Sequence, residues 1–359
     1  MSDQRVEATQ LDQPKRALLV TPSKGMGGGI ERYVAGLESA LQQAGVAYER
    51  LDLRRPGAGP PTRREKLAFA VSVCRALRRH ASPTRLILAH PHLMPLVIPA
   101  ARIRSYAGTT VVFHGIETLQ TRLRGRRIAM RPDVRVLTVS SFTSGALAKT
   151  VNATVVAPFL ETAWFDRLVA AKPHCEPGAR VRLLTVFRLA DWEDKGLETL
   201  VEALVTLGAA ADLLIVGSGE APSSLRAFLG NHPWVQLKTG LADAALAAEY
   251  ASADIFVLAT RTRTGSHAYG EGFGLCLVEA QIAGTVVVAP AYGGSHDAFQ
   301  AGMTGVAPVD ESAAALARCL RLLLQDEGLR VRMSEAAAAW SRAAFQPDVA
   351  AKTLIRALL

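Results

Sequence analysis

From Arg16 onward, apolar runs of four to seven residues alternate with longer amphipathic stretches. Short unbroken runs of this kind mark strands buried on both faces, and amphipathic stretches mark the helices covering them, so the chain reads as α/β throughout. The pattern predicts strands at residues 16–21, 46–53, 85–89, 110–114, 134–139 and 154–157, with a first helix over 30–41. Strands separated by helix-length segments in this way make one Rossmann-like unit. The pattern loosens around Pro158, Pro173 and Pro177, where a linker is expected over 161–178. A second series of strands follows at 180–187, 213–216, 234–239, 255–259 and 285–290, and the remainder reads as helical.

The expected organisation is thus two Rossmann-like domains, 16–160 and 179–342, with a final amphipathic segment at 343–359. A length of 359 residues suits two cores of ordinary size. No tandem repeat stands out. Residues 1–15 are polar and mixed in charge without an apolar h-region, so they read as a disordered tail rather than a signal peptide. No window is a plausible membrane span, and cytoplasmic residence is expected, with peripheral attachment to the inner face of the membrane as a further option.

Charge changes the picture more than composition does. Residues 1–165 carry 24 Lys and Arg against 11 Asp and Glu, a net of +13, whereas residues 166–359 carry 17 against 21, a net of −4. A field this lopsided suggests an anionic partner for the first half, either a membrane surface or a phosphorylated acceptor. A helix expected over 63–80 places Leu67, Ala70, Val71, Cys74 and Leu77 on one face, with Arg63, Arg64, Lys66, Arg75, Arg78 and Arg79 mostly elsewhere. Arg122, Arg124, Arg126, Arg127 and Arg131 form a second basic cluster. Solvated helix faces with snorkelling arginines are the plain reading, and contact with an anionic bilayer or phospholipid is the functional one. No nucleic-acid partner is expected. The four cysteines, Cys74, Cys175, Cys276 and Cys319, lack the spacing of a zinc or redox site and read as reduced thiols.

Candidate chemistry lies where strands end. The loop Gly25, Gly27, Gly28, Gly29 between the first strand and helix suits an anion, although it completes neither the dinucleotide fingerprint nor a P-loop. His114 ends the fourth strand before Gly115, a place where open α/β sheets bind ligands, and there it reads as a hydrogen-bond donor to a sugar hydroxyl or a neighbour of the acceptor. A structural histidine is the alternative. Ser140 and Ser141 occupy the same rim. Arg188 and Lys195 stand at a strand end and a helix start, and converge on a diphosphate unless Asp191, Glu193 and Asp194 pair with them locally. Gly217-Ser218-Gly219 ends the next strand. Glu271-Gly272-Phe273-Gly274-Leu275 then leads to Glu279, and the glycines set one carboxylate in a loop and the other about two turns along a helix. Unpaired amides at that helix start suit a phosphate between the two acids.

In this order, these motifs resemble the retaining glycosyltransferases of family 4, over nearly the whole chain from about residue 16. The most specific part is Glu271, seven residues, Glu279, supported by Arg188 with Lys195-Gly196, Gly217 with Gly219, Gly293-Gly294, and Gly27-Gly28-Gly29 with Glu31-Arg32. The resemblance implies a GT-B fold: two Rossmann-like domains facing across a cleft, with the last helix crossing back to the N-terminal one. It implies that Glu271 contacts the donor sugar and that Phe273, Gly274 and Leu275 offer amides to sugar and phosphate. Glu279 would accept hydrogen bonds from the ribose, Arg188 and Lys195 would neutralise the leaving diphosphate, His114 would touch the sugar, and the Gly27–Gly29 loop would close over the donor. Phe187 departs from the family's usual glycine, and the loop 261–269 is longer and more basic than the common form.

The expected activity is transfer of a hexosyl unit, with retention, from GDP-mannose or a UDP-hexose to a glycan or lipid-linked acceptor, as in cell-surface polysaccharide or glycolipid synthesis. No Asp-x-Asp signature is present, so neither a metal nor another cofactor is expected. Three alternatives stay open at this stage: a nicotinamide-dependent nucleotide-sugar oxidoreductase or epimerase, a glycosyltransferase of secondary metabolism with a soluble acceptor, and a non-catalytic binding protein.

Overall fold

The structure, a computed structural model, describes residues 16–25, 28–54, 60–115, 123–148, 151–174, 180–263 and 269–359. Six parallel strands form the first sheet: β1 (Arg16–Thr21), β2 (Ala47–Asp52), β3 (Thr84–Leu88), β4 (Tyr106–Phe113), β5 (Val134–Thr138) and β6 (Thr154–Val155), in the order β2-β1-β3-β4-β5-β6. Helices α1 (Gly29–Gln43), α2 (Arg63–Arg79), α3 (Val97–Ala100), α4 (Leu123–Ala129) and α5 (Ser141–Leu147) connect them, with a 3-10 helix, Pro91–Leu96, ahead of α3. The period-2 rule sorts the strand residues: Leu18 and Val20 pack under α2, α3 and α4, while Ala17 and Leu19 face α1 and the rest of the molecule.

The second sheet holds β7 (Arg182–Arg188), β8 (Asp212–Ser218), β9 (Val235–Thr239), β10 (Ile255–Val257), β11 (Val286–Val288) and β12 (Gly305–Val306), in the order β12-β11-β10-β7-β8-β9. All its strand pairs are parallel. Chain order reverses between β1 and β3 in the first sheet and between β7 and β10 in the second. Such reversals open a crevice at the carboxyl ends of the strands, where ligands of this architecture bind. Helix α6 (Thr162–Ala170) joins the halves. Helices α7 (Leu197–Thr206), α8 (Ser223–Gly230), α9 (Asp243–Ala251), α10 (Leu275–Ile282), α11 (Ala313–Gln325), α12 (Glu327–Ala344) and α13 (Pro347–Leu358) complete the fold.

Four expectations need correction. The segment read as a linker contains α6, whose Trp164, Phe165 and Leu168 are buried in one hydrophobic cluster with residues of both sheets. Proline punctuation at 158 and 173 bounds this helix rather than an open hinge. In α2 the inward residues are Val73, Ala76 and Leu77, whereas Leu67 and Val71 are exposed. Phe69, Ala70 and Cys74 are partly buried against the same cluster, so the apolar stripe read from sequence is offset from the buried one. Beyond the strands expected, β12 pairs with β11 over only two residues, too short to leave an apolar run. The 3-10 helix after β3 was also missed, because Pro91 and Pro95 bracket it.

Helix α13 crosses back to the first half and packs on α1. Its end is held by Thr110 Oγ1 donating to the Leu358 carbonyl at 2.6 Å and Arg85 Nη2 donating to Leu359 O at 2.9 Å. Cys74 and Cys276 are half-buried free thiols and Cys319 is buried, while Cys175 lies outside the described residues.

Candidate active site

At the reversal point of the second sheet, the loops after β7 and β10 deliver opposite charges to one spot. Arg188 ends β7, and a tight turn carries the chain to Lys195 and Gly196. Gly196 has φ +70°, and a Cβ there would lie 1.9 Å from the carbonyl oxygen of Ala259, just past β10. Only glycine allows that approach. It sets Lys195 beside the segment leading to Glu271. Lys195 Nζ lies 2.8 Å from Glu271 Oε2, which also accepts from Thr260 Oγ1 at 3.2 Å. Both charged side chains are 17% exposed.

Burial is the largest influence on both groups and opposes their ionisation, but it is outweighed. For Glu271, the Lys195 charge and hydrogen bonds from Lys195, Thr260 and the Phe273 amide bring the carboxyl below its ordinary range. For Lys195, the Glu271 charge and its hydrogen bond raise the ammonium well above its own range. The pair is ionised at neutral pH. The local-pairing alternative does not hold for Lys195. Arg188 is half-exposed and makes only a 3.9 Å approach to Asp191, while Asp194 pairs with Arg263 at 3.1 Å.

The glycines around Glu271 serve close packing. A Cβ on Gly272 would stand 1.6 Å from the His114 carbonyl oxygen, and one on Gly294 would stand 1.9 Å from the Gly272 oxygen. The Gly294 amide donates to the Glu271 carbonyl at 2.9 Å, so the Gly293-Gly294 turn braces the loop from behind. Phe273 is buried and its amide serves the Glu271 carboxylate rather than an open cavity. Gly274 has φ +87° at the cap of α10, so Gly274 and Leu275 stand where amides lack intrahelical acceptors.

Glu279 points elsewhere. On the second turn of α10 it accepts from Trp164 Nε1 at 2.8 Å through Oε1 and from the Tyr250 hydroxyl at 2.8 Å through Oε2. Arg32 Nε approaches Oε1 at 3.8 Å. Burial raises the Glu279 pKa, against the opposing effects of Arg32, Trp164 and Tyr250. Both Glu279 oxygens are therefore engaged by donors within the protein.

From the first half, Gly28 (φ +96°) brings the loop before α1 against Arg188, since a Cβ there would lie 2.8 Å from Nη2. Gly29 opens α1, and Gly27 lies outside the described residues. His114 Nε2 donates to the Ala89 carbonyl at 2.7 Å, and its ring stands edge-on to Tyr33 with centroids 4.9 Å apart. The Nε2 proton is thus engaged within the protein. Ser140 is fully buried and caps α5 through the Thr143 amide, whereas the Ser141 amide and hydroxyl both bond Asp297, at 2.6 and 2.7 Å.

Among the described residues, contacts between the halves include one after each of β1, β4 and β5: Gly28 against Arg188, His114 against Gly272, and Ser141 with Asp297. Gly217 lies within β8, where a Cβ would strike Leu189 at 2.1 Å, and Gly219 is exposed at φ +86°. Sequence reasoning missed Trp164, Asp243, Tyr250, Thr260 and Asp297. For Trp164, Asp243 and Asp297 the partners are 115, 211 and 156 positions away, and no local motif marks any of the five. Among the described residues, no group of three or more His, Cys, Asp or Glu side chains converges as a metal site, and no helix is long and apolar enough to cross a membrane.

The profile of the family described as glycosyl transferases group 1 matches residues 172–340, which hold Arg188, Lys195, Glu271 and Glu279. A GDP-mannose-dependent alpha-(1-6)-phosphatidylinositol monomannoside mannosyltransferase of Mycobacterium tuberculosis is 30% identical, over 73% of this chain and 72% of its own length. A D-inositol 3-phosphate glycosyltransferase of Pseudarthrobacter chlorophenolicus is 26% identical over 90% of both chains. Among solved structures, a sucrose-phosphate synthase of Thermosynechococcus elongatus superposes with a TM-score of 0.76 at 20% identity, covering 94% of this chain and 97% of that one. HepE of Anabaena, in complex with UDP and glucose, gives 0.69 at 16% identity, over 95% and 98%.

Proposed function

Because the chain belongs to the group 1 glycosyltransferases, of GT-B fold, we propose that it moves a hexosyl unit from a nucleotide-diphosphate sugar to an inositol-containing lipid, with retention and without a metal. GDP-mannose is the first donor to test and a UDP-hexose the second. The observation that carries this reading is the buried Lys195–Glu271 pair at the crevice of the second sheet, with Arg188 at the end of β7 and the Gly28 loop of the first half against it.

A diphosphate entering this crevice meets two cations, Arg188 half-exposed and Lys195 held by Glu271. Arg188 takes the outer phosphate, and Lys195 bridges between the inner phosphate and Glu271. Charge growing on the leaving oxygen is then stabilised by groups already in place. Glu271, ionised and braced by Thr260 and Phe273, accepts from the sugar's hydroxyls and fixes the reacting carbon. The acceptor attacks from the face the diphosphate leaves, and a phosphate oxygen takes its proton, so no protein nucleophile is needed. Contact between the halves at His114 and Gly272 excludes water that would hydrolyse the donor.

The lipid acceptor draws support from α2, whose first two turns present Arg63, Arg64 and Lys66 with Leu67 69% exposed. Apolar side chains ringed by arginines suit an anionic bilayer surface, where each basic residue contributes about 1 kcal/mol. A water-soluble inositol phosphate is the second acceptor reading, favoured by the match over 90% of both chains to the relative so described.

A thermal-shift panel of GDP-mannose, UDP-glucose, UDP-galactose and their nucleotides tests the donor. The true donor raises the melting temperature by mass action, about 2.7 kcal/mol of added stability at a hundredfold excess over Kd. No shift with any of them removes the reading.

A further inference from the structure

The Glu-Arg pair that follows the glycine loop has no part in the chemistry above, yet Arg32 reaches across the cleft. From the first turn of α1 its Nη1 and Nη2 donate to both carboxylate oxygens of Asp243 on α9, at 3.2 and 2.8 Å. Its guanidinium carbon lies 4.3 Å above the Trp164 ring. Trp164 in turn donates to Glu279 Oε1, the same oxygen that Arg32 Nε approaches at 3.8 Å. The arginine side chain is 25% exposed and Glu279 8%. A cation from one half, an indole from the connecting helix and two carboxylates from the other half therefore form one cluster.

We propose that Arg32, stacked on Trp164, is a positioning residue for Glu279: the N-terminal half fixes the carboxylate that meets the nucleotide's ribose. This rests on the donor reading above, together with the ribose contact that the family resemblance implies for Glu279. A buried carboxylate is costly to keep ionised, and a nearby cation with a charge-assisted network offsets that cost. Asp243 holds the guanidinium planar over the indole, and the indole orients Glu279 through Nε1. Tyr250 fixes the other oxygen from within the same half. Ribose hydroxyls approaching such a carboxylate find it oriented, each oxygen already held by a donor. When the halves part, Arg32 leaves Glu279, and the ribose site loosens with them. Donor affinity and closure are thereby tied through one side chain.

The test uses the whole chain and the nucleoside diphosphate, GDP or UDP, that binds wild type in calorimetry. Arg32→Met is expected to weaken nucleotide binding by about tenfold to a hundredfold and to raise donor KM with little change in kcat. Arg32→Lys restores part of the affinity, because charge beside Glu279 returns without the planar fork. Trp164→Phe keeps the stack and the cross-cleft bridge but removes the Nε1 donor, and is expected to lose affinity in an intermediate degree. Asp243→Asn removes the bridge partner while leaving Arg32 over Trp164, and is expected to lose less than Arg32→Met. Melting temperatures establish that each variant is folded.

A Trp164→Phe that binds as wild type, with Asp243→Asn as damaging as Arg32→Met, overturns the proposal and leaves Arg32 as a closure contact alone. Wild type that binds neither nucleotide overturns the donor reading and this inference with it. Wild type that binds, beside an Arg32→Met that binds equally well, overturns only the inference.

Discussion

Replacing Glu271 with glutamine tests the pair at the centre of the site. The substitution keeps the shape and one acceptor oxygen but removes the charge 2.8 Å from Lys195 Nζ. Stripping one partner from a buried ion pair costs about 3–5 kcal/mol, because the other charge is left in low dielectric. Thr260 and the Phe273 amide retain an acceptor in the oxygen of the new side-chain amide, and the site keeps some access to water, so the low end, about 3 kcal/mol, is expected. For a unit the size of the second half, this lowers the melting temperature by roughly 6–12 °C.

The pH dependence follows from the directions of the shifts. Glu271 is depressed in the folded chain, so its contribution is present above the unfolded carboxyl pKa of about 4.3 and is lost as pH falls through the folded value. Lys195 is raised, so its contribution is present below the unfolded pKa of about 10.4 and is lost as pH rises through the folded value. The stability gap between wild type and Glu271→Gln is therefore full at neutral pH and closes toward acid. A nucleoside diphosphate restores negative charge to Lys195, so the variant should gain more from it in calorimetry than wild type does. Transfer, by contrast, should fall by about 10³-fold or more. Near-normal turnover, or a melting temperature within about 2 °C of wild type, refutes the reasoning.

Three further outcomes are expected. Glu279→Gln removes a carboxyl whose pKa burial raises, and such a group lowers stability as pH climbs from the unfolded toward the folded pKa; thermal melts should show the variant no less stable than wild type at neutral pH, while nucleotide affinity drops. Gly272→Ala drives a Cβ to 1.6 Å from the His114 oxygen and so holds the halves apart, with kcat down about a hundredfold and a larger radius of gyration in solution scattering, whereas Gly230→Ala, with nothing within 4 Å, leaves both unchanged. Arg63→Ala, Arg64→Ala and Lys66→Ala together should weaken binding to phosphatidylinositol vesicles by about a hundredfold at low salt, at about 1 kcal/mol each, without slowing turnover on a detergent-solubilised acceptor.

Much of the fold is legible in the chain because parallel strands buried on both faces leave apolar runs, and Leu18-Leu19-Val20 or Val286-Val287-Val288 read directly as such. The cations and carboxylate of the crevice are also legible, since Arg188 ends a strand while Lys195 and Glu271 stand two and four residues ahead of helices that open at Leu197 and Leu275. Periodicity fails where an element leaves the core. The outer turns of α2 keep Leu67 and Val71 on a helical stripe although both side chains are exposed. It fails again at α6, a nine-residue helix between prolines, too short for its pattern to outweigh the punctuation. The environment of Glu279 is hidden for a different reason. Its spacing from Glu271 fixes the turn of the helix it occupies, but its partners Trp164 and Arg32 are 115 and 247 positions away by residue number and are brought in only by the packing of the halves.

The most direct test follows the sugar itself. Wild-type protein is incubated with GDP-mannose and phosphatidylinositol vesicles, and with each UDP-hexose in parallel, and the product's anomeric centre is read by NMR. The account predicts a glycosylated lipid whose anomeric configuration matches that of the donor, formed without added divalent ion and absent with Glu271→Gln. An inverted product, or equal transfer by Glu271→Gln, contradicts it.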